Sequence, residues 1–255
     1  MKINIDEAGL QNIKKWFADY VDTFKKGDPE IQENIELKEE HTYRVCKEIL
    51  TIGKKLGLKD DELRLAEIIA LLHDVGRFEQ YARYRTFNDS KSVNHAGLGI
   101  EIILRNGVLG NLDSRIQALV VKAIGYHNQV SLPADEAGTY LFYSRLLRDA
   151  DKLDIWKVVT DYYHRKGGKR NYGLELELPD TPGVSTEVLD DIRKKRTVNM
   201  KNILNLNDFK LLQMSWIFDI NFKPSLDIIK ERHYLEKIRA VLPQSEEIDD
   251  LFPSV

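Results

Sequence analysis

The sequence is poor in several things at once. It holds a single cysteine, Cys46, in 255 residues. That excludes an intramolecular disulfide framework and suits a reducing compartment. No apolar run approaches the roughly 20 residues that span a bilayer. The N-terminal stretch MKINIDEAGLQNIKKWF has neither a long apolar core nor a small-residue cleavage site, so it does not read as a secretion signal and the cytoplasm is the expected location. Charge of one sign is not in excess: 38 basic residues stand against 41 acidic ones, a formal net charge of -3. Bulk electrostatics therefore gives no reason to expect binding to a nucleic-acid polymer or an anionic membrane. A Walker-type phosphate loop, a dinucleotide glycine fingerprint, a zinc finger and a His-Glu-x-x-His helix are all missing. So are internal repeats, low-complexity stretches and anything resembling an interdomain linker, and residues 1–255 are read as one domain.

What the sequence has in abundance is helical spacing of apolar residues. Leu10, Ile13, Trp16, Phe17, Tyr20 and Val21 form one stripe between about Asp6 and Phe24. Pro29, a good first-turn residue, opens a second helix that runs to about Leu56 and carries His41 near its middle. Asp60 to His73-Asp74 reads as a third, with Leu65, Ile68, Ile69 and Leu72 on its buried face and Gly76 just beyond its end. A loop is expected over FEQYARYRTFNDSKS. Helices follow at about Val93–Asn106, Leu112–Tyr126 and Asp135–His164. Residues 165–186, RKGGKRNYGLELELPDTPGVST, are rich in Gly, Pro and charge and read as a long loop, with a short strand allowed at LELEL. A C-terminal helical extension over 187–241 contains segments at about Glu187–Asn205, Asn207–Phe222 and Pro224–Val241. The fold class is all-α.

Four residues carry the chemistry. His73 and Asp74 sit side by side in ALLHDVGR, where a buried helix breaks, and offer a neutral nitrogen and an anionic oxygen to a borderline divalent metal. Taken alone, such a pair is more often a cap or a surface group. His41 lies in EEHTYRVCKEIL, and a lone helical histidine is more often a satisfied core residue than a ligand. Asp151 lies in the apolar RLLRDADKLDIW, where a carboxylate needs a partner or a cation. The plain alternative is a solvated stripe in which Asp149, Asp151 and Asp154 bond Arg145, Arg148 and Lys152. Successive helix positions turn by about 100°, however, and not all three acids fit one stripe. Cys46 reads as a small apolar filler on its helix.

The order His41, His73-Asp74, then Asp151 within Ala-Asp-Lys-Leu-Asp resembles the HD-domain superfamily of metal-dependent phosphohydrolases. The motifs span about residues 40–154. The resemblance implies an HD-domain-like helical bundle, in agreement with the helical spacing, and metal ligation by His41, His73, Asp74 and Asp151. His95 in SVNHAGLGIEIIL and His127 in VVKAIGYHN are placed as in two-metal members of the superfamily, including the HD-GYP phosphodiesterases. On that pattern Asp74 bridges the ions and the two histidines bind the second. The alternative is one ion, with His95 and His127 acting on substrate phosphate or as acid–base groups. Asn128 follows His127 and no Gly-Tyr-Pro motif appears, so cyclic-dinucleotide hydrolysis does not transfer.

The implied cofactor is one or two divalent transition-metal ions (Mn, Fe, Co, Ni or Zn) per chain. The implied reaction is hydrolysis of a phosphate ester, of a nucleotide or nucleotide-like small molecule, by metal-activated water. Asp74 acts at the catalytic centre, and Arg77 and Lys122 stabilise developing charge. Arg83 and Arg85 are weaker phosphate candidates, Glu79 and Asp89 are candidate proton carriers, and His164 and His233 have no partner motif. The implied partner is a phosphorylated small molecule, with no nucleic-acid polymer and no membrane; a homodimer is compatible. Two other readings stand beside this one: a di-iron HD-fold oxygenase, and a non-catalytic signalling or binding module.

Overall fold

Helix signals in the sequence become helix ends in the computed structural model, which describes residues 3–165, 167 and 170–251. The first helix, α1, spans Glu7–Asp22, and the Asp6 carboxylate caps it by accepting the Gly9 amide at 2.7 Å. Helix α2 covers Pro29–Lys55, with Asp28 as N-cap and Pro29 in the first turn. Helix α3 runs over Asp60–Leu72, and Glu62 reaches back to the Lys59 amide. Helix α4 is Val75–Tyr84, α5 is His95–Arg105, α6 is Ser114–His127 and α7 is Gly138–His164.

The chain divides into two compact units, residues 1–154 and 155–255, the division falling within α7. In the first unit α2 packs on α3 and α4, α3 on α1 and α6, and α5 on α4 and α6. Its core is Phe17, Ile35, Ile49, Leu65, Ile69, Leu72 and Phe78, all fully buried. The rings of Phe17 and Phe78 meet edge to face with centroids 5.8 Å apart. Cys46 is buried and its thiol is pushed up by burial, as befits an inert core residue.

The expected loop after Gly76 is a helix for most of its first half. Helix α4 restarts directly after Asp74 and runs to Tyr84, where Arg85 ends it in a left-handed conformation (φ 56°). Gly76 is there for room. A Cβ at this position would lie 2.1 Å from the His95 carbonyl oxygen and 2.7 Å from the Gly99 nitrogen, backbone atoms of α5. The connection to α5 is shorter than expected and holds a 3-10 turn at Asp89–Lys91.

In the second unit α8 spans Thr186–Arg193, α9 Leu206–Ser215, α10 Lys223–Glu231, α11 Tyr234–Arg239 and α12 Glu246–Asp249. Trp156, on the last part of α7, is fully buried here. Its indole N–H donates to the Gln213 carbonyl at 2.9 Å, and its ring stacks on Tyr234. The three long segments expected in 187–241 are each cut: Lys195 (φ 52°) follows α8, a 3-10 turn at Trp216–Asp219 replaces the end of the second, and His233 (φ 55°) separates α10 from α11. Among the described residues there is no strand. LELEL forms turns, with Leu176 and Glu177 at φ 51° and 59°. Lys166, Gly168 and Lys169 of the expected long loop, and residues 252–255 of the tail, lie outside the described residues. Among those described, no helix is long and apolar enough to cross a membrane.

Candidate metal centre

Helix geometry delivers the predicted ligands to one place. His41 projects from the middle of α2. His73 is the C-terminal cap of α3 and Asp74 the N-terminal cap of α4, so the pair sits at a junction between two helices. His95 is the first residue of α5, His127 the last of α6, and Asp151 lies within α7. The structure brings all six together in the first unit. Five are buried, and Asp151 keeps 17% of its side chain exposed.

Each imidazole is oriented through Nδ1. His73 Nδ1 lies 2.7 Å from the Ala70 carbonyl and His127 Nδ1 2.6 Å from the Ile124 carbonyl. Both carbonyls belong to the last turn of a helix, where backbone acceptors lack intrahelical partners. His41 Nδ1 lies 2.7 Å from Asp154 Oδ2, and His95 Nδ1 2.7 Å from Asp89 Oδ2. Carbonyl and carboxylate oxygens only accept, so every Nδ1 is the donor, and in the neutral ring every Nε2 keeps its lone pair. The four Nε2 atoms are what face inward.

Those inward nitrogens converge on Asp74. His41 and His73 Nε2 each lie 3.6 Å from Asp74 Oδ2. His95 and His127 Nε2 lie 3.5 and 3.8 Å from Oδ1. Asp151 Oδ1 stands 3.2 Å from His41 Nε2 and 3.7 Å from His73 Nε2. Among the described residues, two groups have ligand atoms within 4.8 Å of one another, His41–His73–Asp151 and His73–Asp74–His127.

Burial and charge tune the groups. Burial opposes a charge on Asp74, but Lys38, His73 and Arg77 outweigh it and hold the carboxyl well below its usual range. Asp151 is likewise held well below, burial being overcome by His41 and His73. Burial also resists a charged His73, yet the Asp74 and Asp151 carboxylates leave its pKa raised. His127 is pushed down to about 3 by burial, reinforced by His95 and His73. His95 is lowered by burial and by Arg77, against the pull of Asp89.

The donor set fits a divalent cation. His41 and His73 Nε2 are buried without a hydrogen-bond partner, a costly state unless a cation takes the lone pairs. His95 and His127 Nε2 face each other at 3.0 Å with both Nδ1 atoms already donating. Two lone pairs at that distance repel unless they share a cation. Imidazole and carboxylate ligands without thiolate suit the borderline first-row metals.

Around this cluster lie groups that the sequence reading passed over or placed elsewhere. Lys38 donates to Asp74 Oδ2 at 2.8 Å. Asp154, for which a solvated stripe with Asp149 and Asp151 is the plain alternative in the sequence, is fully buried and takes Arg44 Nε at 2.6 Å besides His41. Burial resists its charge, but His41 and Arg44 hold the carboxyl below its usual range. Arg148 donates to the Tyr126 and His127 carbonyls at the end of α6. Asp89 is a support of His95. Arg77 Nη1 donates to Gln80 Oε1, the Phe87 carbonyl and Asp89 Oδ1, with Nε 3.6 Å from Asp74 Oδ1. Lys122 pairs with Glu136 at 2.7 Å and lies over the Tyr140 ring, contacts that do not join it to the cluster. Glu79 pairs with Arg83 and Arg105, and Arg85 with Asp28. His164, in the second unit, contacts the Lys237 carbonyl.

Comparison with known proteins agrees with this geometry. Residues 39–156 match the family model of the HD domain. No curated protein and no solved structure gives a significant match.

Proposed function

Residues 39–156 match the family model of the HD domain, the domain of a superfamily of metal-dependent phosphohydrolases, and from that match we propose that the chain hydrolyses a phosphate ester of a nucleotide or nucleotide-like small molecule with two divalent ions. The observation that carries the reading is the division of Asp74: Oδ2 faces His41 and His73, and Oδ1 faces His95 and His127. A carboxylate can serve two cations at once, one per oxygen. His41, His73 and Asp151 would complete one site, and His95 with His127 the other.

Bound divalent ions lower the pKa of coordinated water and neutralise charge on phosphoryl oxygens. The chain's residues do the rest. Asp154 and Asp89 fix the tautomers of His41 and His95, and the Ala70 and Ile124 carbonyls fix those of His73 and His127. Asp151, partly exposed, marks the side from which substrate reaches the cluster. Arg77, through Asp89 and Phe87, fastens the segment after α4 that supports His95.

The test is metal stripping and reloading with Mn, Fe, Co, Ni or Zn, followed by a panel of phosphomonoesters and diesters. Two equivalents per chain and phosphate release are expected, with both lost in Asp74→Ala. Unchanged hydrolysis in that variant would overturn the reading. Oxygen uptake that needs two irons, without phosphate release, would replace it by an oxygenase.

A further inference from the structure

A phosphoryl substrate needs a cation from the chain, and the cations that the sequence and the structure offer for this differ in how committed they are. Arg77 is tied down. Its Nη1 holds three acceptors within 2.9 Å, and two of them, the Phe87 carbonyl and Asp89, lie in the segment between α4 and α5. Lys122 is paired with Glu136. Lys38 stands on α2 three residues before His41, and so on the same side of that helix. Its Nζ is 2.8 Å from Asp74 Oδ2 and 5.6 Å from the centre of the Phe87 ring.

Exposure shows where the cluster opens. The side chains of His41, His73, Asp74, His95 and His127 keep 6% or less of their surface. Lys38 keeps 18% and Asp151 17%. A ligand approaching the cluster therefore meets Lys38 and Asp151 before it meets the imidazoles. A lysine ammonium has three donors on a flexible stem. One of them can stay on Asp74 while another turns to an incoming oxygen.

We infer that Lys38 is a catalytic residue that binds a phosphoryl oxygen of the substrate, while Arg77 is a positioning residue that acts through Asp89 on His95. The inference deepens the proposed hydrolysis and rests on it. As water's oxygen bonds to phosphorus and the ester P–O bond breaks, the leaving oxygen takes a proton from water. Lys38 keeps all its protons and stabilises the negative charge through its N–H donors.

Lys38→Met keeps the apolar stem and removes the charge; Lys38→Arg restores charge. Three quantities are measured on each: Mn stoichiometry, affinity of the Mn-loaded protein for inorganic phosphate by calorimetry, and kcat/KM on the best ester of the panel. Expected for Lys38→Met is an unchanged Mn count, with phosphate affinity and kcat/KM both lower by on the order of 10- to 100-fold. Lys38→Arg recovers part of both, and serves alone if the methionine variant does not fold: phosphate affinity and kcat/KM between wild type and nil support the inference, and values equal to wild type for Lys38→Met, or no change of either in Lys38→Arg when it is the sole folded variant, overturn it. Loss of Mn in Lys38→Met also overturns it, since the lysine would then act only by holding Asp74. If the wild type hydrolyses no ester but Lys38→Met still weakens phosphate binding, the hydrolase reading falls and the lysine's role in phosphate binding stands. A wild type that does not bind phosphate at all removes both.

Discussion

Replacing Asp154 by Asn changes one oxygen for an NH2 group at a fully buried position, and the consequence can be followed atom by atom. The carboxylate takes Arg44 Nε on Oδ1 at 2.6 Å, and Arg44 Nη2 and His41 Nδ1 on Oδ2 at 3.1 and 2.7 Å. An amide has a single acceptor oxygen. If that oxygen stays with Arg44 Nε, the NH2 confronts the donors at His41 Nδ1 and, more distantly, Arg44 Nη2; if it turns to His41, the NH2 confronts Arg44 Nε. Arginine does not give up a proton in proteins, but histidine can move its own between nitrogens. The cheaper outcome is a His41 whose proton sits on Nε2, pointing into the cluster where a lone pair is needed. Loss of a supporting group of this kind costs about 10- to 100-fold in metal affinity, or ~1.4–2.7 kcal/mol. Arg44 is 23% exposed and can be rehydrated, so the cost to folding is about 1–3 kcal/mol. Cobalt titration against a chromophoric chelator should show one ion weakened and the other, held by His95 and His127, unchanged. Two ions bound with wild-type affinity, or both weakened equally in a folded protein, would refute the tautomer argument.

Two further outcomes follow from other elements. Gly76→Ala puts a methyl 2.1 Å from the His95 carbonyl oxygen, so α4 and α5 must part. Urea melts should show a loss of about 1–3 kcal/mol or more, together with weaker metal binding by His95; wild-type stability would show that the two helices can slide without cost. His127 titrates at about 3 in the fold, against about 6.5 in an unfolded chain. The unfolded state then binds more protons between those values, so this group's contribution is fully present above pH 6.5 and is lost as pH falls toward 3. Metal-free His127→Gln should therefore have a shallower fall in stability between pH 6.5 and 4 than the wild type, and equal slopes would contradict the assignment.

The candidate ligand residues were legible because their chemistry is visible in isolation. A carboxylate in an apolar stretch, as at Asp151, or an imidazole where a buried helix breaks, as at His73, is out of place without a partner. The helices α1, α2 and α3 were legible from apolar spacing and caps. Their supports were not. Asp154 lies 113 residues from His41, and nothing near either one says that they meet. Asp89 was visible only as an acid in a loop, and Lys38 only as one charge among several in LKEEH. The restart at α4 was missed because a glycine reads as punctuation, whereas Gly76 answers to the backbone of α5. Arg77 follows Asp74 by three residues, which suggests a place at the pocket rim, but the direction of its guanidinium depends on the path of residues 87–89. The cuts in the C-terminal helices turn on single left-handed residues, Lys195 and His233, neither of which is a residue type that announces that conformation.

The four imidazole supports have a consequence for how such a centre can change over generations. His73 and His127 are steered by main-chain carbonyls, which no codon change at Ala70 or Ile124 can delete. His41 and His95 are steered by the side chains of Asp154 and Asp89, which a single nucleotide change can alter. Each oxygen of Asp74 faces one histidine of each kind. On the proposed two-ion reading, heritable variation thus has one adjustable and one fixed nitrogen ligand on either side of the centre. Selection can retune the preference of one half for its cation while the other half, and the ligand shared between them, stay as they are.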